Sequence, residues 1–98
     1  MILEYNARTP YGEIDIVAMQ GESCVFVEVK TRSTSGFVLP EEAITRQKKA
    51  HLLASAQAYL LAHPELAGDW RVDVIAIRRL RSDRQPEILH FENAITEC

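Results

Sequence analysis

The sequence predicts an α/β domain, a mixed sheet flanked by helix, on three observations. First, Gly12–Ala18 and Val25–Lys30 alternate apolar and polar residues, and the Gly21-containing loop between them makes a hairpin. Second, Leu52, Leu53, Ala56, Tyr59 and Leu60 recur at helical spacing between Thr45 and His63. Third, Arg71–Ile77 is another strand-like run beyond that helix. A helical crossover permits a parallel pair between this run and the second hairpin strand.

Taken in order, Ile2–Asn6 reads as a short strand and Thr9-Pro10-Tyr11-Gly12 as the turn into the hairpin. Thr31–Gly36, rich in Ser and Thr, is a polar loop beside the hairpin end. Pro40-Glu41-Glu42 suits a helix start, with proline early and acids in the first turn. Thr45 suits the N-cap of a second, longer helix, which Pro64 stops. Lys48, Lys49, Ser55 and Gln57 fall mostly away from its apolar stripe. In Arg71–Ile77, Val72, Val74 and Ala76 share one face and Asp73, Ile75 and Ile77 the other, as in an interior strand. Asp73 fits a structural hydrogen bond near the strand start better than a reactive role. A charged loop, residues 78–86, leads to a last short strand, Glu87–Phe91.

The 98 residues suffice for a single domain spanning 1–98. A hydrophobic content of 47% and a charged content of 26% are ordinary for a globular protein. No run approaches the roughly 18 apolar residues of a membrane span, and the N-terminus lacks a signal-peptide pattern. A cytoplasmic protein with no membrane partner is expected. Cys24 and Cys98 cannot build a disulfide framework, and with His51, His63 and His90 they show no zinc-ligand spacing. The net charge of −3 counts against a uniformly basic nucleic-acid binder. Its distribution counts for more. Lys30 and Arg32 leave the hairpin, Arg46, Lys48, Lys49 and His51 cluster at the helix start, and Arg78, Arg79, Arg81 and Arg84 follow the later strand.

The hairpin carries the chemistry. With Met19 opposite Cys24, Asp15 falls opposite Glu28 and Glu13 opposite Lys30, and a tighter turn with Met19 opposite Glu22 keeps the same four on one face. Opposed residues share a face, so these four gather on one side, with Ile14, Ile16, Ala18, Val25, Val27 and Val29 on the other. Two carboxylates about 5 Å apart repel when ionised, and a divalent cation removes that penalty. Mg²⁺ prefers one or two carboxylates, with water and phosphate completing its shell. A lysine alongside can meet a phosphate, so Asp15, Glu28 and Lys30 suit metal-assisted phosphodiester hydrolysis. A solvated hairpin face, with Glu13 simply pairing Lys30, also satisfies the pattern.

Gly12-Glu13-Ile14-Asp15, followed by Phe26-Val27-Glu28-Val29-Lys30-Thr31-Arg32, strongly resembles the YraN family. These small bacterial proteins are regarded as endonucleases similar to archaeal Holliday junction resolvases. Pro40-Glu41-Glu42-Ala43, the Lys48 region, Ala58-Tyr59-Leu60, Arg71-Val72-Asp73-Val74 and Ile88–Ala94 extend the agreement along the chain. The resemblance implies a restriction-endonuclease-like fold and the PD-(D/E)xK nuclease superfamily. It implies that Asp15 and Glu28 bind Mg²⁺ or Mn²⁺, that Val29 adds its backbone carbonyl, and that Lys30 is the catalytic lysine. Glu13 belongs to the family's pattern and joins the catalytic candidates. The N-terminal helix typical of the family is absent from a chain that opens at Met1-Ile2-Leu3. Leaving a few hundred Å² of sheet bare, at roughly 25 cal/mol per Å², costs several kcal/mol, so a homodimer or another compensation is expected.

The leading functional expectation is a metal-dependent DNA endonuclease acting on branched or single-stranded DNA. Arg32, Arg46, Lys48 and Lys49 would hold the phosphate backbone. The alternative is a non-catalytic nucleic-acid-binding or assembly module that keeps the nuclease fold.

Overall fold

The computed structural model describes residues 1–32, 44–66, 68–79 and 85–96. The described strands are β1 (Ile2–Thr9), β2 (Gly12–Gln20), β3 (Ser23–Arg32), β4 (Trp70–Arg78) and β5 (Glu87–Ile95). Helix α1 (Arg46–Ala62) lies between β3 and β4, followed by a 3₁₀ turn at Pro64–Leu66. The strands form one open sheet in the order β1-β2-β3-β4-β5. Its neighbours are antiparallel except for β3 and β4, which the α1 crossover makes parallel. This is the mixed α/β sheet the sequence predicts. The helix start expected at Pro40 and most of the Thr31–Gly36 loop lie outside the described residues.

Helix α1 begins where its cap dictates. The Thr45 hydroxyl accepts a 3.1 Å bond from the Lys48 N–H, satisfying one of the otherwise unpaired first-turn donors. The helix lays Leu52, Ser55, Ala56 and Tyr59 on the sheet. There they meet a core containing Val17, Cys24, Phe26, Val72 and Val74. Phe26 sits edge-on to Tyr59 and to Trp70, with ring centroids 5.8 Å and 6.1 Å away. The Tyr59 hydroxyl donates to Glu4 on β1 at 2.9 Å, tying the helix to the sheet edge. Ser55, expected away from the core stripe, is buried. It packs against the start of β2, where a Cβ added at Gly12 would stand 3.7 Å from the Ser55 Oγ, an ordinary contact distance.

Two departures from simple alternation shape the rest. Ile14 and Val17, three residues apart, are both buried in the α1-side core. An unbroken strand would place them on opposite faces. The alternation therefore breaks around Asp15, beside Asn6 on β1, whose φ of 53° is left-handed. Ile14 thus joins the core rather than the far face. The second departure is in β5, which runs to Ile95 instead of ending at Phe91. Its register against β4 shifts between Val72↔Ile95 and Val74↔Phe91, and Asn93 takes a φ of 50° there. The bulge carries the strand through a polar stretch that reads in the sequence as its end. No helix among the described residues is long and apolar enough to cross a membrane.

Candidate functional site

The hairpin takes the wider of the two registers the sequence allows, from Gln20↔Ser23 through Met19↔Cys24 to Ile16↔Val27, and not the tighter turn with Met19 opposite Glu22. Beyond Ile16↔Val27 a side chain takes over from the ladder. The Asp15 Oδ2 accepts the Val29 N–H at 2.8 Å. In a strand the N–H and C=O of one residue project toward the same neighbour. The Val29 carbonyl is therefore aimed toward the Asp15 side of β3. Asp15 thus holds the hairpin end together.

Glu28 lies one residue before Val29 and is 6% exposed. The Lys30 Nζ stands 3.9 Å and the Lys48 Nζ 3.7 Å from the same Glu28 Oε1. Burial, and then the charge of Asp15, push the Glu28 carboxyl above its ordinary range. Lys48 and Lys30 pull it back without cancelling that rise. The site is a buried carboxylate beside a second carboxylate, with two ammonium groups near but not tightly engaged.

Such a pair favours a hard cation. Among the described residues no group of three His, Cys, Asp or Glu side chains could hold a metal ion. Asp15, Glu28 and the Val29 carbonyl are the protein oxygens on offer. Two carboxylates with the remaining positions left to water and phosphate is the pattern Mg²⁺ accepts. The donor set fits that ion, or the similar Mn²⁺, better than a zinc cage of nitrogen and sulfur.

The structure brings Asp15, Glu28, Lys30 and Lys48 together and leaves Glu13 out. Glu13 is exposed and pairs in register with Arg8 on β1. It lies between Gly12 and Ile14, which face α1, because the alternation breaks at Asp15. The acidic partner of Lys30 is accordingly Glu28. Arg32 closes β3 in register with Arg78. Arg46, Lys48 and Lys49 occupy the first turn of α1, which carries no acid. Cations at that end oppose the helix dipole, so their placement does not serve helix stability. Sequence reasoning assigned Lys48 to the backbone-binding set and missed its contact with Glu28. The available signal was the Thr45 cap, which fixes Lys48 on the first turn.

A profile described as Uncharacterised protein family UPF0102 matches residues 1–77. A UPF0102 protein of Dehalococcoides mccartyi is 41% identical over 96 residues, covering 98% of this chain and 78% of the relative. One from Beutenbergia cavernae is 48% identical over 81 residues, 83% of this chain and 69% of the relative. One from Moorella thermoacetica is 49% identical over 84 residues, 85% of this chain and 69% of the relative. None of these names states an activity.

Proposed function

The chain belongs to the uncharacterised protein family UPF0102, the YraN family, and on that premise we propose that it is a divalent-cation-dependent DNA endonuclease resembling Holliday junction resolvases. The observation that carries this reading is the buried Glu28 carboxylate, pushed up by burial and by Asp15, beside two lysines that leave it incompletely neutralised. Buried acids with such perturbation concentrate at functional sites. Asp15 and Glu28, with the Val29 carbonyl, would hold Mg²⁺ or Mn²⁺. The cation would polarise the scissile phosphate and acidify an attacking water. Lys30 would steady the charge that builds on the phosphate oxygens. Arg32, Arg46, Lys48 and Lys49 would grip the backbone with little reading of sequence. Glu13, turned away from the cluster, is not part of this reacting set.

Incubation with four-way-junction, single-stranded and plasmid DNA in Mn²⁺ tests the proposal. Strand breaks that vanish in Asp15→Ala and Glu28→Gln are expected. Cleavage persisting in Asp15→Ala would sink it. Salt-sensitive DNA binding without cleavage would favour the non-catalytic module. A homodimer belongs to the same proposal, supported by Ile2, Leu3 and Tyr5 exposed on the edge strand β1. Sedimentation of a monomer at micromolar concentration would remove it.

A further inference from the structure

We infer that Lys48 is an exchangeable internal counterion, seated on Glu28 until a divalent cation displaces it toward the nucleic-acid backbone. This rests on the nuclease reading and adds a coupling between cation loading and DNA capture.

The geometry separates the two lysines. Lys30 stands two residues from Glu28 on the same strand. Lys48 comes from a different element, and its side chain is 41% exposed against 32% for Lys30. Its backbone is pinned by the Thr45 cap, so only the flexible stem has to move. Both ammonium groups lie near one oxygen, the Glu28 Oε1. An incoming divalent ion needs a Glu28 oxygen and repels both ammonium groups at short range. The more exposed of them is the one to leave. Released, Lys48 joins Arg46 and Lys49 at the positive end of α1, where a phosphate is the favourable partner.

The coupling runs both ways. DNA that draws Lys48 off Glu28 clears a cation ligand, and a bound cation frees Lys48 for DNA. The neighbouring Lys49 separates this exchange from a general charge effect. Removing Lys49 takes a similar charge from the same helix turn, but no ion pair joins Lys49 to Glu28 among the described residues.

Mn²⁺ titration by calorimetry without DNA, on the full chain, is the test, with wild type, Lys48→Met, Lys48→Arg and Lys49→Met compared. Loss of a partly exposed ion pair predicts about two- to fivefold tighter Mn²⁺ binding by Lys48→Met. Lys49→Met should stay close to wild type, and Lys48→Arg should restore most of the wild-type value. In anisotropy with a DNA duplex, Ca²⁺ should strengthen binding by wild type more than by Lys48→Met. Equal Mn²⁺ affinity in Lys48→Met and Lys49→Met overturns the exchange while leaving the nuclease reading intact. Absence of Mn²⁺ binding by wild type overturns both.

Discussion

Glu28 and Asp73 are buried acids on neighbouring strands, one register step apart and on opposite faces of the sheet. Their surroundings could hardly differ more. Asp73 accepts the Asn93 N–H at 2.8 Å and the Arg71 Nε–H at 3.0 Å on Oδ1, and the His90 Nε2 donates to its Oδ2 at 2.7 Å. Burial raises its pKa, but the Asn93, Arg71 and His90 bonds together outweigh that and hold it below the usual carboxylate range. Glu28 has ammonium groups at 3.7 Å and 3.9 Å, and its carboxyl is pushed up. A charge supplied with short directional donors is structural; a charge left short of them has room for a ligand.

The comparison breaks most sharply at Asp73. It pins the β5 bulge through Asn93 and ties β4 to β5 through His90. Removing one member of a buried, paired charge network costs about 3–5 kcal/mol. Asp73→Ala should therefore lower unfolding stability in urea by that amount, and a loss under about 1 kcal/mol would contradict the structural role.

Acid should separate the two sites by sign. The folded-state pKa of Asp73 is lowered, so its contribution is present above the ordinary value of 3.8 and is lost as pH falls through the lowered one. The folded-state pKa of Glu28 is raised. The neutral form is favoured in the fold, so its contribution is present below 4.5 and is lost as pH rises through the raised value. Chemical denaturation between pH 3 and pH 8 should show the Asp73→Asn penalty shrinking in acid. Parallel curves for Asp73→Asn and wild type would defeat the assignment.

His90 tests the periphery of the Asp73 network. Its ring is 48% exposed, so water replaces part of what it donates. His90→Phe should cost about 1 kcal/mol, less than the 1.5–3 kcal/mol typical of a buried bond to a charged group. A loss as large as that of Asp73→Ala would place the anchor at His90 instead.

The contrast was only half legible in the sequence. Local signals read correctly: alternation marked both hairpin strands while leaving Met19 to face Cys24 or Glu22, Thr45 capped α1, and the crossover permitted the parallel pairing of β3 and β4. Asp73 was legible as structural because its neighbours on both faces are apolar. Its partners were not, since Asn93 reaches it only through a left-handed bulge twenty residues on. Asn tolerates that conformation but does not announce it. The break at Asp15 is similar: Asn6 on a separate strand accompanies it, so Glu13 was assigned to the wrong side. The contact between Lys48 and Glu28 spans a helix and a strand, and no periodicity encodes it.

The smallest expected effect decides most about the site. Glu28→Gln keeps the shape of the side chain and removes a charge that burial and Asp15 disfavour. It also leaves Lys30 and Lys48 without their counterion, but both are partly exposed and lose little by that. The two effects nearly cancel at neutral pH, leaving stability unchanged or raised by up to about 1 kcal/mol. The gain should fade below pH 4.5, where the wild-type carboxyl is itself neutral. Mn²⁺ binding and strand cleavage should fall at least about a hundredfold in the same variant, since the amide replaces a charged oxygen ligand. Stability retained with function lost marks a carboxylate kept for its ligand. If Glu28→Gln instead destabilised the fold as Asp73→Ala does, the two acids would be doing the same structural work, and Glu28 would no longer support the proposed metal site.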